Sequence, residues 1–413
     1  MDKLIIHCDL NNFFAAVNTL FEPELANVPF AVSGNPQKRS GIILAKNELA
    51  KKYNIKTGDV IWEAMQKCPN LVLRPSMFKE YTKYSKMAFD IYNDFTSQVE
   101  PFGADECWLD CTNSVSLFGS GEEIASKIRE RLKTELNLTA SVGVSFNKIF
   151  AKLASDLKKP DATTIITKDN FKKIVWKLNV SEMIMVGKVS SKKLNMLNIN
   201  TLGDLAQADE NLLQQHLGIN GIKIKRYANG QDFEPVREAT AAYEQKSFGH
   251  GLTAVRDLKT RSECSDMIYY LAQKVAVRMR ESKVRGELVS ITLKDTKLES
   301  YSRQKILNTP TFSSTIIATA ALDLLDKNWD NQPLRAITIG VSKLQNQDAG
   351  QQISMLEQSS NVSKQEKLEL AIDAIHKKYG SGIIVRANLI DKDFICDKED
   401  NEIFLPFQKQ LSK

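Results

Sequence analysis

The first 160 residues alternate short apolar runs with amphipathic stretches, and this alternation constrains the fold more than any other feature of the sequence. Residues 3–8 form an apolar run typical of a buried β-strand, which ends at Asp9. Residues 10–22 have the apolar spacing of a helix and stop at Pro23. The same periodicities predict strands over 29–34, 41–45, 104–109 and 138–145, and helices over 47–53, 81–95, 120–136 and 147–160. This order predicts a layered α/β or α+β core.

The pattern of apolar residues changes twice in the rest of the chain. Residues 183–206 and 216–232 contain short helical patterns joined by glycine-containing turns, which predicts a small helical module. Strand patterns return at 286–295 and 335–344 and are separated by amphipathic helices. Residues 240–345 are therefore predicted to form a separate α+β domain.

The C-terminal part reads as a linker followed by a short structured segment. Residues 345–365 are polar and rich in Gln and Ser, a composition that favours a linker. A helix over 364–380 and a strand over 382–387 are predicted to close the chain.

Composition excludes several classes of protein. The chain has 413 residues, of which 42% are hydrophobic and 26% charged, and a mean hydropathy of −0.29, as in a globular protein of several domains. No run approaches the ~20 apolar residues that span a bilayer, so we expect a cytoplasmic protein. The 6 cysteines form no CxxC pair and the 4 histidines are dispersed, which argues against a zinc centre. A metal ion would be held by oxygen ligands.

The positive charge is concentrated in one segment. The chain carries a net charge of +6, and residues 240–345 hold 16 Lys and Arg residues against 11 Asp and Glu residues. Such an excess favours an anionic partner, although a solvated basic surface explains the count equally well.

Residues 101–110, PFGADECWLD, place two adjacent carboxylates, Asp105 and Glu106, inside an apolar run. Ionised carboxylates removed from water require a cation, a metal or several donors. Together with Asp9 they form an oxygen-ligand set that suits Mg²⁺ or Mn²⁺. A metal site and a solvated hairpin tip both remain open. Because successive strand residues point to opposite faces, the two acids can share a site only at a twist or a strand end.

Three segments resemble the motifs of the Y-family of DNA polymerases, the lesion-bypass enzymes. They are HCDLNNFFAAV (7–17), GADECWLD (103–110) and ASVGVSFNKIFAKLASDLKKPD (140–161). The resemblance runs over most of the chain and implies an α+β multidomain fold of the right-hand polymerase type. It implies palm and fingers over 1–170 with the fingers at about 22–77, a helix-hairpin-helix thumb over 171–235, a DNA-binding little finger over 240–345, and a linker with a C-terminal segment over 346–413.

The resemblance implies a template-directed DNA polymerase for low-fidelity translesion synthesis in DNA damage tolerance. It assigns catalysis to Asp9, Asp105 and Glu106, which would bind two Mg²⁺ ions, with Mn²⁺ able to substitute. The backbone carbonyl of Leu10 would complete the nucleotide-side ion. Such ions lower the pKa of the primer hydroxyl and neutralise the leaving pyrophosphate.

For the incoming dNTP, the resemblance implies contacts from Phe13 and Phe14, with Phe14 under the sugar as a steric gate against the ribose 2′-OH. Lys51 and Lys159 match positions that contact the triphosphate. Without the resemblance, the phenylalanines would be ordinary core residues and the lysines solvated charges. Many relatives have Tyr where this chain has Glu48. Because a carboxylate repels a triphosphate, we expect the Glu48 side chain to point elsewhere.

Primer–template DNA is the partner that the resemblance implies for the thumb and the little finger. Relatives usually have Gly-x-Gly in the first thumb hairpin, whereas this chain has Met185-Val186-Gly187 and lacks one glycine. In the little finger, the predicted phosphate contacts are Lys246, Arg278, Arg280, Lys283, Arg285 and Arg303.

Residues 352–356, QISML, resemble the Gln-Leu-x-Leu-Phe peptide that bacterial polymerases dock into the sliding clamp. Extended peptides of this kind bind through spaced apolar anchors. The residues predicted to contact the clamp are Gln352, Ile353, Met355 and Leu356. The expected partners are therefore primer–template DNA, dNTP and a sliding clamp, with no membrane, and the protein is expected to be a monomer.

Two other functions stay open at this point. A catalytically silent DNA-binding accessory homologue would keep the fold, although the three acids argue against it, and primer extension with Mg²⁺ would exclude it. A palm-like nucleotidyl cyclase would explain the carboxylates but not the hairpin module or the basic domain. It would make a cyclic product without a template.

Overall fold

The computed structural model of the chain describes residues 3–34, 41–238, 245–347, 359–380, 383–390 and 392. These residues form two compact units. The first contains residues 3–33 and 42–238, and the second contains the described residues from 245 onward.

The strands and helices largely follow the alternation that the sequence predicts. The strands are β1 (Ile5–Leu10), β2 (Phe30–Ser33), β3 (Ile43–Lys46), β4 (Val72–Pro75), β5 (Val99–Pro101), β6 (Glu106–Asp110), β7 (Ala140–Ser145), β8 (Thr163–Ile165), β9 (Ser247–Leu258), β10 (Val284–Asp295), β11 (Ser300–Thr311) and β12 (Leu334–Asn346). The helices are α1 (Phe13–Phe21), α2 (Glu48–Lys51), α3 (Ile61–Lys67), α4 (Phe78–Asn93), α5 (Val115–Phe118), α6 (Gly121–Leu136), α7 (Lys148–Leu157), α8 (Phe171–Val175), α9 (Lys188–Met196), α10 (Leu202–Gln207), α11 (Glu210–Leu217), α12 (Ile219–Ala228), α13 (Arg261–Glu281), α14 (Ser314–Asn328) and α15 (Ser359–Tyr379). Within the described residues, none of these helices combines the length and the apolar composition that a bilayer crossing requires.

A five-stranded sheet in the order β5-β6-β1-β7-β8 forms the centre of the first unit. The middle strand β1 runs antiparallel to both β6 and β7. Its residues are almost all buried, as the continuous apolar run predicts. Helices α4 and α6 pack against this sheet around one core. Helix α6 begins at the Ser120–Glu123 capping box, which the sequence predicts.

Helix α7 lies close against β7 because Gly143 has no side chain. A Cβ at this position would be 2.0 Å from the Ala151 carbonyl oxygen and 2.5 Å from the Ser155 backbone nitrogen. At the start of the helix, the Asn147 side chain accepts a hydrogen bond of 2.8 Å from the backbone N–H of Phe150. The close packing brings the polar face of α7 beside β1.

Two smaller parts complete the first unit. A three-stranded sheet, β3-β2-β4, pairs β2 antiparallel with β3 and parallel with β4. It has its own small core with α2 and α3 around Ala50 and Ala64. Helices α8 to α12 surround a separate core that contains Leu194, Leu202 and Leu213. The predicted helical module is therefore confirmed.

The second unit is an antiparallel sheet, β11-β10-β12-β9, with helices on one face. Alternate residues of the sheet, such as Ile291 and Ile339, are buried against α13 and α14. The opposite face, which we call the open face, carries small or polar residues that are half-buried or exposed: Gly249, Gly251, Ser290, Thr292, Ser302, Thr338 and Gly340.

The described residues of the C-terminal segment, from 359 onward, belong to the second unit, and one prediction for them is wrong. Residues 383–387 form no strand, and Ala387–Leu389 is a 3₁₀ turn. Arg386 donates a hydrogen bond of 2.6 Å to Thr315 Oγ1, and its guanidinium lies 5.0 Å from the centre of the Tyr269 ring. Contacts with α13 and α14, rather than a sheet edge, therefore fix this segment.

Candidate active site

Strand pairing brings the three predicted catalytic acids to one end of the central sheet. Asp9 in β1 lies directly opposite Glu106 in β6. Asp105 precedes β6 in a bend, and its carbonyl oxygen accepts a hydrogen bond of 2.9 Å from the Leu10 backbone N–H. Because Asp105 lies outside the strand, the rule that successive side chains face opposite sides does not separate it from Glu106.

The three carboxylates repel one another in a largely buried place. Burial, together with the negative charges of Asp9 and Glu106, raises the pKa of Asp105 to about 7. Burial also raises the pKa of Glu106, but the neighbouring His7 imidazole and Lys152 ammonium outweigh it and lower the pKa to about 2. The site therefore concentrates negative charge that needs cations.

Two lysines supply positive charge at this site. Lys159, a predicted phosphate contact, forms an ion pair of 2.8 Å with Asp9. Lys152 pairs closely with Glu106 and lies 3.6 Å from Asp9. Burial lowers the pKa of each lysine, but the carboxylates outweigh it and the net shift is upward. Both ammonium groups are therefore charged beside the acids.

Sequence reasoning missed Lys152, Asp156 and His7. Lys152 and Asp156 are separated by four residues on the predicted helix 147–160, and this spacing places both on one face. The third motif therefore already contained the spacing by which both residues could have been found. His7 is fully buried two residues before Asp9, and its Nδ1 lies 2.9 Å from Ser155 Oγ. Its Nε2 lies 3.4 Å from Glu106 Oε2.

The two phenylalanines after β1 have different surroundings. Phe13 is 3% exposed and belongs to the core of the first unit, and its contact with the nucleotide stays a prediction. Phe14 is only partly buried, and its ring stacks on Tyr81 with centroids 4.2 Å apart and planes at 9°. Phe78 supports it from the side. Phe14 thus packs against two aromatic rings at the start of the helix that follows β1.

The Glu48 carboxylate contacts Asn12 and Lys51. Its Oε1 accepts a hydrogen bond of 2.8 Å from the Asn12 side chain and lies 3.4 Å from Lys51 Nζ. Asn12 has φ 49° and connects β1 to α1. The Asn12 amide therefore holds the Glu48 carboxylate at the turn before Phe14, and the expectation that Glu48 points away from the triphosphate stays a prediction.

The acids and the lysines together decide what kind of ion the site suits. Within the described part of the chain, no group of three or more acidic, histidine or cysteine side chains is arranged so that it could hold a metal ion. The Lys152 and Lys159 ammonium groups instead occupy the space beside Asp9 and Glu106 as cations. A set of carboxylate oxygens that already binds cations is chemically suited to Mg²⁺ or Mn²⁺.

The predicted DNA contacts in the second unit divide into accessible and structural residues. Lys246 and Lys283 are exposed, and Arg278 is half-buried with a hydrogen bond of 3.1 Å to the Gly249 carbonyl. Arg303 lies on the helix-bearing face of the sheet, where it donates to Asn328 Oδ1 at 3.1 Å.

Arg280 and Arg285 are corrected from DNA contacts to structural residues. Arg280 is 8% exposed and pairs with Glu369 and Asp373 of α15, each at 2.5 Å. Arg285 pairs with Glu366 at 2.8 Å. Their guanidinium groups are occupied by helix α15, which sequence reasoning placed beyond a linker.

The first hairpin of the helical module has a left-handed backbone conformation at Met185, where relatives usually have glycine. Met185 has φ 72°, a conformation that favours glycine, and its side chain is 49% exposed. Gly187 precedes α9, and a Cβ there would meet no atom within 4 Å. The predicted clamp peptide, residues 352–356, lies outside the described residues.

Two family models match the chain. The impB/mucB/samB family matches residues 8–156, and the impB/mucB/samB family C-terminal domain matches residues 245–355. The first match contains the three acids, and the second contains most of the four-stranded sheet unit, the little finger.

Curated relatives and a solved structure agree with these matches. DNA polymerase IV of Acetivibrio thermocellus is 42% identical over 391 residues, covering 94% of this chain and 98% of that protein. DNA polymerase IV of Clostridium kluyveri is 34% identical, covering 95% and 99%. A Y-family DNA polymerase chimera of Dbh and Dpo4 shares the fold, with a TM-score of 0.73 at 23% identity over 83% of this chain and 99% of that chain. The chain therefore belongs to the Y-family of translesion DNA polymerases and is a DNA-directed DNA polymerase.

Proposed function

We propose that Asp9, Asp105 and Glu106 form the catalytic centre at which this polymerase adds a dNTP to a primer 3′ end. The observation that carries the proposal is the register of β1 and β6, which puts Asp9 opposite Glu106 with Asp105 at the adjacent bend. The raised pKa of Asp105 supports it, because burial beside two other acids leaves a site short of positive charge.

The proposed cofactor is a pair of Mg²⁺ ions, for which Mn²⁺ may be substituted experimentally. The three carboxylates and the Leu10 carbonyl would hold them, and the ions would lower the pKa of the primer hydroxyl and neutralise the leaving pyrophosphate. Lys159 would contact the triphosphate as a flexible point charge. Lys51 would do the same once it separates from Glu48.

We assign the proposed domains from the sheets and from the helices that pack around each core. The five-stranded sheet with α4, α6 and α7 is the palm, and the three-stranded sheet with α2 and α3 is the fingers. Helices α8 to α12 are the thumb. Within the little finger, α15 is added to the domain predicted to end at 345.

DNA is proposed to bind the little finger through its open face and the neighbouring basic side chains. Small residues such as Gly249 and Gly340 allow a sugar–phosphate backbone to approach the sheet, and the hydroxyl groups of the open face can donate to phosphates. Lys246, Lys283 and Arg278 supply charge. These contacts position the duplex without reading its sequence.

Primer extension on undamaged and lesion-containing templates tests the catalytic assignment. Asp105→Asn should reduce extension by several orders of magnitude, because one acidic ligand of the proposed centre is lost. Asp94→Asn is the matched control, since Asp94 pairs with Arg131 at a side chain that is 60% exposed and should leave extension unchanged. Normal extension by Asp105→Asn would contradict the proposal.

The clamp contact is proposed from the sequence of residues 352–356 alone. Deletion of these five residues should abolish clamp-stimulated processivity and spare basal extension. Unchanged stimulation would exclude it. We also propose that the protein acts as a monomer in the cytoplasm, which size-exclusion chromatography with light scattering and fractionation of cells can test.

A further inference from the structure

Five charged side chains form a continuous chain across the acidic site. Lys159 Nζ lies 2.8 Å from Asp9 and 2.9 Å from Asp156. Lys152 Nζ pairs closely with Glu106 and lies 3.5 Å from Asp156. Among the residues that the structure describes, Asp156 is thus the one carboxylate that both lysines share and that is not a proposed metal ligand.

The position of Asp156 follows from the end of helix α7. It lies one turn after Lys152 and three residues before Lys159. Helix α7 ends at Leu157, so Lys159 lies outside the helix, where it forms ion pairs with Asp9 and Asp156. The Asp156 side chain is 39% exposed and therefore reaches the open side of the site.

Divalent ions at Asp9 and Glu106 would compete with both lysines for the same oxygens. An ammonium group that loses such a partner gains rotational freedom unless another carboxylate holds it. Asp156 remains as that partner. We propose that Asp156 is a positioning residue that keeps Lys159 beside the metal site, facing the triphosphate, when Asp9 is occupied by an ion. This inference rests on the proposed phosphate contact of Lys159.

A double-mutant cycle tests the inference without chemistry. Binding of the correct dNTP is measured at equilibrium on a complex with a primer that ends in a 3′-dideoxynucleotide, in Mg²⁺. Asp156→Asn should weaken dNTP binding about fivefold, and Lys159→Ala about tenfold. Because Asp156 acts through Lys159, the double variant should bind no more weakly than Lys159→Ala alone.

Asp161→Asn is the matched control. Asp161 is also a carboxylate in an ion-pair network, but its partners are Arg129 and Lys133 rather than the site lysines. It should leave dNTP affinity unchanged, and thermal unfolding should show that every variant is folded. Wild-type affinity in Asp156→Asn, or effects that multiply in the double variant, would overturn the inference. Wild-type affinity in Lys159→Ala would overturn the phosphate contact itself and the inference with it.

Discussion

At the scale of single residues, the ionisation of Asp105 makes the free energy of unfolding depend on pH. Its pKa is about 7 in the folded protein against an ordinary value of 3.8, because burial and the charges of Asp9 and Glu106 disfavour ionisation. Between these two values the folded state holds a proton that the unfolded state has released. The free energy of unfolding therefore falls as pH rises through this window, and the full penalty is present above about pH 7.

Asp105→Asn should remove this penalty from the metal-free enzyme. At pH 8 we expect the free energy of unfolding to rise by on the order of 2–4 kcal/mol, because three pKa units are relieved. The gain should shrink at pH 5 and vanish near pH 4. Urea unfolding in a chelating buffer measures it, with Asp94→Asn as the control. A gain that is equal at pH 8 and pH 5 would contradict the assignment of the shift to Asp105.

Phe14 should act as a gate against ribonucleotides. Its ring is held by stacking on Tyr81, so it cannot easily move away from a 2′-OH. Phe14→Ala should raise the efficiency of ribonucleotide insertion by about five- to thirtyfold, because removal of a steric clash of about 1–2 kcal/mol changes a rate by this factor. Single-nucleotide insertion of dNTP and rNTP measures the ratio. An unchanged ratio, with normal dNTP insertion, would show that Phe14 is not the gate.

Glu48 should lower the affinity for the incoming nucleotide by holding Lys51. Glu48→Gln keeps an oxygen that can accept from Asn12 but removes the charge that pairs with Lys51. The pair is about half exposed, so we expect only a two- to fivefold fall in KM for dNTP with kcat unchanged. Glu22→Gln, which alters an ion pair with Arg74, is the control. A rise in KM would mean that the Glu48 carboxylate assists binding.

At the scale of elements, helix α15 completes the little finger. Glu369 accepts hydrogen bonds from the Ser314 backbone N–H at 2.9 Å and from the Ser313 hydroxyl at 2.9 Å, while it pairs with Arg280. Helix α14 begins at Ser314, and the Ser313 side chain does not cap it. Glu369 therefore caps α14 from a different helix, and its negative charge lies at the positive end of the α14 dipole.

Loss of the Glu369 charge should destabilise the little finger. Glu369→Gln removes one of the two carboxylates that pair with the buried Arg280 guanidinium, and we expect a loss of about 2 kcal/mol in the free energy of unfolding. Asp326→Asn is the matched control, because Asp326 pairs with Arg261 at the surface and should cost less than about 1 kcal/mol. Urea unfolding of the full chain measures both. Equal losses would mean that α15 does not carry this stabilisation.

The strands and helices also differ in how well they can be predicted from the sequence. The strands around Asp9 and Asp105 were predictable because their apolar runs are local. The acidic cluster depended on the resemblance to the Y-family, because the residues alone left a metal site and a solvated hairpin tip open. The docking of α15 was not predictable, because Arg280 and Glu369 are 89 residues apart and each alone reads as a surface charge. The wrong strand at 382–387 has a related cause. Its apolar run fits strand periodicity, but contact of Arg386 with Tyr269 and Thr315 decides its conformation.

At the scale of the whole molecule, charge rather than base contact should govern DNA affinity. The net charge of +6 and the basic excess of residues 240–345 favour phosphate binding. Not every basic residue of this segment is available to DNA, because Arg280 and Arg285 are paired internally with α15. The exposed lysines Lys246 and Lys283 should therefore carry more of the DNA contact than the count of arginines suggests.

Simultaneous Lys246→Ala and Lys283→Ala should weaken DNA binding and flatten its salt dependence. Each lost phosphate contact lowers the slope of log K against log salt by about 0.9, so we expect a slope smaller by about two. Fluorescence anisotropy with a primer–template duplex across a salt series measures it. Lys327→Ala with Lys305→Ala removes the same charge from lysines that pair with Asp323, on the helix-bearing side of the sheet. If this control flattens the slope equally, net charge alone binds DNA, and Lys246 and Lys283 make no specific phosphate contacts.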